Sequence, residues 1–147
     1  MTAALVPELD VGDLARSLRF YVEVLGFSVV YERAEEQFAY LRREEAELML
    51  EAADGPGRRF RTAPLEPPFG RGMNLQIRTG DVTALFDRVA AHGLAPLIPL
   101  EERWYRVRLR ERGLRQFVVA DPDGYLLRFF EDLGVRPAAQ QETEAHP

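Results

Sequence analysis

The sequence predicts an α+β domain of two tandem β-α-β-β-β modules whose curved mixed sheets surround a cleft. Three observations carry that expectation. One is an internal repeat: Gly12-Asp13-Leu14 leads through Leu18, Tyr21, Val22 and Leu25 to Gly26-Phe27, and Gly80-Asp81-Val82 leads through Leu85, Phe86 and Val89 to Gly93-Leu94. Another is that both stretches place apolar residues at helical three- and four-residue steps. The last is that an alternating, strand-like segment precedes each stretch and three more follow it.

Taken in order, residues 5–11 alternate and form the first strand, and the helix after it opens on Asp13. A carboxylate there accepts free backbone N–H groups, and a glycine after the helix permits the left-handed turn that ends it. Residues 27–33, 37–42 and 46–52 complete the first module, which spans 4–52. Residues 53–70 are rich in Gly, Pro and Arg and form a linker. The second module, 71–133, repeats the plan with a strand over 73–78, a helix opened by Asp81, and strands over 96–108, 115–120 and 125–131. Asp121-Pro122-Asp123-Gly124 supplies its last hairpin turn, where proline sets φ and glycine closes the turn. Residues 1–133 are expected to form one domain and 134–147, which are polar, a flexible tail. A lone module cannot cover both faces of its sheet, so the modules are expected to pair, within a chain or between chains.

Composition narrows the chemistry. A chain of 147 residues, 46% hydrophobic and 29% charged, is long enough to bury a core. A net charge of −5 argues against a general nucleic-acid binder. The absence of cysteine excludes disulfides and thiolate catalysis. All nineteen basic residues are arginine, so lysine Schiff-base chemistry and a P-loop lysine are excluded too. The apolar runs are strand-length and no charged-then-apolar leader opens the chain; a cytoplasmic protein without membrane contact is expected.

Two motifs carry a family likeness. Asp13-Leu14-Ala15-Arg16-Ser17-Leu18-Arg19-Phe20-Tyr21 followed by Leu25-Gly26-Phe27 resembles the first-helix signature of the vicinal oxygen chelate superfamily. Asp121-Pro122-Asp123-Gly124-Tyr125 resembles its final-hairpin signature. The likeness covers nearly the whole chain and is strongest with the bleomycin resistance branch. It implies the glyoxalase/bleomycin resistance fold. It implies a function less narrowly, because the superfamily also includes glyoxalase I, extradiol dioxygenases, epimerases and fosfomycin-inactivating enzymes.

Side-chain alternation assigns the faces. Leu5, Pro7, Leu9 and Val11 are expected to pack under the helix, leaving Val6, Glu8 and Asp10 on the cleft side with Glu47, Met49 and Glu51. Asn74, Gln76 and Arg78 share the cleft side in the second module with Leu126, Arg128 and Phe130. The resemblance implies that metal-dependent members place His, Gln or Glu at four positions that here hold Val6, Met49, Asn74 and Arg128. Valine has no donor, methionine is a soft ligand and arginine repels a cation. His92 suits a helix C-terminus and His146 lies in the tail. No metal and no cofactor are therefore expected, and catalysis less than binding. The alternative is a divalent-metal-dependent lyase or dioxygenase of the same superfamily, with Glu8, Glu47 and Glu51 around a hard cation.

Without a metal, binding rests on stacking, shape and charge. Parity puts Phe38 and Tyr40 in the cleft, and the segment from Phe38 to Arg43 resembles the one that supplies a drug-stacking phenylalanine in bleomycin resistance proteins. Trp104 ahead of Arg115-Gln116-Phe117 resembles the family's Trp near an Arg-x-Phe strand, with an insertion between; ligand stacking and interface packing both suit it. Phe60 in the linker could cover a ligand. The arginines of 103–115 are interleaved with Glu101, Glu102 and Glu111 and read as a salt-bridged hairpin. The ligand-binding expectation thus falls on Phe38, Tyr40, Trp104, Glu8, Met49, Asn74, Arg128 and Phe60. The resemblance implies a homodimer with two exchanged clefts that sequesters a small aromatic ligand such as a bleomycin-type antibiotic. Overall acidity suits a cationic ligand, whereas Arg78 and Arg128 suit a neutral or anionic one.

Overall fold

Each module folds into its own four-stranded mixed sheet, as the repeat requires. The computed structural model describes residues 2–138. The first sheet contains β1 (Glu8–Val11), β2 (Ser28–Arg33), β3 (Phe38–Arg43) and β4 (Ala46–Ala52), in the order β1-β4-β3-β2. The second contains β5 (Asn74–Arg78), β6 (Ile98–Val107), β7 (Arg110–Ala120) and β8 (Leu126–Pro137), in the order β5-β8-β7-β6. In both, the first strand of the module runs parallel to the last, and the remaining pairs are antiparallel.

The helices between first and second strands are capped as their sequences demand. Asp13 accepts the Arg16 N–H at 3.1 Å to start α1 (Leu14–Leu18), which widens into a π-helical stretch over Arg19–Val24. Asp81 accepts the Ala84 N–H at 3.0 Å to start α2 (Val82–Ala91). Gly26 and Gly93 follow these helices with φ of 81° and 75°, where a Cβ would be strained.

Alternation decides what is buried. Leu9 and Val11 of β1, Ala39 and Leu41 of β3, Leu48 and Leu50 of β4, Phe117 and Val119 of β7, and Leu127 and Phe129 of β8 all join one cluster. Tyr21, Leu25, Val82, Leu85 and Val89 from the helices complete it. Both sheets thus turn their helix-bearing faces toward a shared core and their other faces outward.

The two signature motifs hold the modules together. Asp121 accepts the Tyr21 hydroxyl at 2.8 Å and the Asp123 and Tyr125 N–H groups at 2.9 Å each. Asp123 accepts the Gly12 N–H at 3.0 Å and pairs with Arg16 at 3.1 Å. Tyr125 donates its hydroxyl to the Asp10 carbonyl at 2.9 Å. The reverse clasp runs from module one: Glu44 accepts the Gly80 N–H at 3.2 Å, and Arg43 donates to Thr79 Oγ1 at 2.8 Å.

Some expected boundaries move. β1 begins at Glu8, and Leu5 is 81% exposed instead of packing under the helix. Pro7, just ahead of it, brings no N–H to a ladder. β7 begins at Arg110 and β8 continues to Pro137, past the expected end of order at Leu133. Residues 134–137 pair with 110–113 and extend the hairpin arm, so the tail expectation does not hold for them. Residues 139–147, with His146, lie outside the described residues.

Candidate functional site

The outward face of the first sheet carries an aromatic shelf. Phe38 and Tyr40 lie on it, as parity expects, but both are buried, at 3% and 5% exposure. The group that meets solvent is Tyr31, absent from the sequence expectation. A bulge between Val29 and Tyr31 inserts one residue, so Tyr31 pairs with Tyr40 and moves to the outer face. Its ring stacks on Tyr40 at 5.0 Å and 17° and lies 6.0 Å from Phe38. The Arg33 guanidinium caps Phe38 at 4.0 Å.

Carboxylates flank the shelf. Glu47 and Glu51 are buried at 7% and 3% exposure on β4, beside Met49. Glu8 of β1 is the backbone partner of Met49, and Asp10 that of Glu51. Partial desolvation, then the hydrogen bond and negative charge of Glu51, push the Glu8 carboxyl up to about 7. The chain's own segments occupy several of these groups: the Ala3 N–H donates to Glu47, Arg61 pairs with Asp10 at 3.0 Å, and Gly57 packs on the Glu51 carboxylate. Phe60 is 75% exposed with Arg58 at 5.0 Å over its ring, and it closes a small cavity of about 160 Å³ with Glu8, Asp10 and Arg59.

The second sheet's outward face is polar and basic. Arg128 donates to Gln76 Oε1 at 2.7 Å, and Asn74 is exposed on the same strand as Gln76. Gln116, buried at 3% exposure, donates to the Tyr105 hydroxyl at 2.8 Å and to Glu101 at 3.1 Å. Neither Tyr105 nor Gln116 was expected here. Trp104 takes the opposite face of this sheet. Its backbone partner is Gly113, and Gly113 shares strand parity with core Phe117. On that side Arg115 reaches Glu102 and Glu131, and Glu131 accepts the Val82 N–H of α2. Trp104 therefore faces the helix side, sandwiched between Gly113 and the Arg136 guanidinium 3.9 Å above its ring. Strand alternation then hands the cleft side to Tyr105.

The two faces do not meet within one chain: the expected residues divide into Glu8, Phe38, Tyr40, Met49 and Phe60 on one side and Asn74 and Arg128 on the other. Buried polar atoms without a partner cluster on these outward faces: the Tyr40 hydroxyl, Gln116 Oε1 and Arg128 Nε, with Arg59 Nε in the linker above the first. Burial, then the Glu47 carboxylate, raises the Tyr40 pKa. Such atoms are costly unless something else covers and bonds them.

The side chains also bear on a metal. Val6 offers no donor, Met49 a thioether and Arg128 a cation already bonded to Gln76. Among the described residues no group of three or more His, Asp or Glu converges on one point. The donor set does not fit a divalent ion.

Comparison with known proteins places this geometry. The model of the Glyoxalase/Bleomycin resistance protein/Dioxygenase superfamily matches residues 6–129. The chain belongs to that superfamily. A bleomycin resistance protein of Geobacillus stearothermophilus is 30% identical over 135 residues, covering 87% of this chain and 96% of the relative. One of Staphylococcus aureus strain MRSA252 matches to the same extent. The crystal structure of TioX from Micromonospora sp. ML1 superposes with a TM-score of 0.70 at 23% identity, covering 88% of this chain and 98% of TioX, which speaks for the fold. Among the described residues no helix is long and apolar enough to cross a membrane.

Proposed function

We propose that this superfamily member binds a flat aromatic small molecule and holds it without transforming it, as a bleomycin-type sequestering protein. One observation carries the reading: Tyr31 stands exposed on a stacked shelf over Tyr40 and Phe38, on the same face as Met49. An aromatic guest adds a further layer to that shelf, a contact that needs area and geometry and no reacting group. The buried carboxylates beside it suit a cationic portion of the guest, and Asn74, Gln76, Gln116 and Arg128 suit its polar heteroatoms. Because the two faces point outward from one chain, the cleft is completed by a second copy, first module facing second. Relatives named for bleomycin resistance at 30% identity support this drug as the ligand to try first.

Isothermal titration with bleomycin tests the reading. Binding with Tyr31→Phe near wild type and Tyr31→Ala weaker by about 2 kcal/mol, roughly thirtyfold, is expected from loss of one stacking ring at a buried contact. Absence of binding at micromolar drug would remove the ligand assignment. Stoichiometric metal in protein purified without chelator, with turnover that depends on it, would remove the non-catalytic one.

A further inference from the structure

The reciprocal clasp exposes a broken symmetry between the modules. Gly12 donates to Asp123, and its counterpart Gly80 donates to Glu44. Asp123 and Glu44 stand equally far ahead of the buried leucines Leu127 and Leu48, so Ala46 occupies the place in module one that Tyr125 occupies in module two. By the same correspondence Arg78 is the counterpart of Asp10. Tyr125 fills its side of the junction: it is 7% exposed, meets the Phe69 ring edge-on at 6.2 Å, and donates to the Asp10 carbonyl at 2.9 Å.

Ala46 cannot do the same with a methyl group. A cavity of about 600 Å³ opens there, bounded by Glu44, Ala46, Arg78, Gly80, Arg112 and Phe130. That volume is ordinary for a small-molecule site. Its charged side chains all have partners: Arg78 pairs with Glu45 of the same wall at 2.7 Å, Arg112 with Asp132 outside it at 2.8 Å, and Glu44 with Arg43 outside it at 3.4 Å. An ionic guest would have to break one of those pairs, and a neutral one would not. Phe130 supplies an aromatic wall, and the Arg78 and Arg112 guanidinium groups can lie over a ring.

We propose that this junction cavity binds a neutral monocyclic phenol, its ring taking the place that Tyr125 takes in the other half. The site stands apart from the stacked shelf around Tyr31 but shares Gln76 with the second sheet's outward face, and its test uses p-cresol alone.

Titration of the full chain with p-cresol, the side chain of tyrosine, tests it by amide-resolved NMR. Saturable shifts at Ala46, Thr79 and Gly80 are expected, with a dissociation constant on the order of 1 mM, the scale for a single ring. Ala46→Tyr should abolish those shifts and leave the melting temperature unchanged or higher, because the chain then fills its own cavity. If Ala46→Tyr does not fold, Ala46→Leu should weaken binding severalfold. No saturable shift at these amides, undiminished p-cresol binding by a folded Ala46→Tyr or Ala46→Leu, or tighter binding of benzoate than of p-cresol would each overturn the assignment.

Discussion

Glu8 shows how one residue converts position into a measurable property. It stands on the outer face of β1, where partial desolvation and its interaction with Glu51 raise its carboxyl from 4.5 to about 7. The folded protein therefore keeps a proton that the unfolded chain has released. Stability falls as pH rises between those two values and levels off above the higher one. Glu8→Gln should remove that slope, so that variant and wild type differ more at about pH 8 than at about pH 4.5 in urea midpoints. Because the side chain keeps contact with water, the effect is screened and will be modest. An unaltered slope would mean that Glu8 does not hold the proton. The same face explains Tyr31, whose ring is the first that a guest would touch.

At the scale of elements, the clasp between the first helix and the β7–β8 turn decides how the modules are held. Asp121 is buried, and desolvation raises its pKa against three hydrogen bonds that lower it. Truncation would strand the Tyr21 hydroxyl, which is fully buried and whose own pKa is raised by burial and by Asp121. Asp121→Ala is expected to cost about 3 kcal/mol, read as a lower urea midpoint with an unchanged slope. In a double-mutant cycle with Tyr21→Phe, the two losses should be clearly non-additive. Additive losses would show that the pair does not act as a unit. The signature motifs thus work as a structural fastener, which explains why they announce a fold more sharply than a chemistry. The long arm of β6, β7 and β8 follows a different rule. Gly113 lets the Trp104 ring lie against its backbone, where a Cβ would sit 2.6 Å from that ring.

For the whole molecule, each outward face mixes charge: Arg33 and Arg61 stand with the carboxylates of the first, and Glu101 and Asp132 with the arginines of the second. Glu8, Asp10, Glu47 and Glu51 line the first sheet, while Arg78, Arg112 and Arg128 line the second. In the proposed dimer, pairing of unlike modules sets the carboxylates of the first sheet opposite the arginines of the second. Mixing chains makes this testable. A Tyr31→Ala chain lacks the first wall and an Arg128→Ala chain the second, and each alone should bind bleomycin weakly. Co-refolded in equal amounts, they should recover part of the wild-type binding capacity, since a mixed dimer holds one cleft with both walls intact. No recovery would place each cleft within a single chain.

The division of labour between sequence and tertiary structure is visible in particular residues. The repeat, the caps at Asp13 and Asp81, and the burial of Leu9 and Val11 were legible because each depends on local backbone geometry: a helical period, a strand alternation, a free N–H. Phe38 and Tyr40 were legible to the same depth, as residues of the outer face. What covers them was not, because Tyr31 reaches that face only through a bulge, and a one-residue insertion reverses every parity beyond it. The sheet face that Trp104 takes was not legible for a related reason. Its face depends on where the β6–β7 hairpin turns, and that register is set by pairing with β8, whose Glu131 accepts the Val82 N–H of α2. Periodicity thus determined which residues could be buried together, while only closure of the chain on itself decided which ring stands at the surface and which junction, at Ala46, was left open.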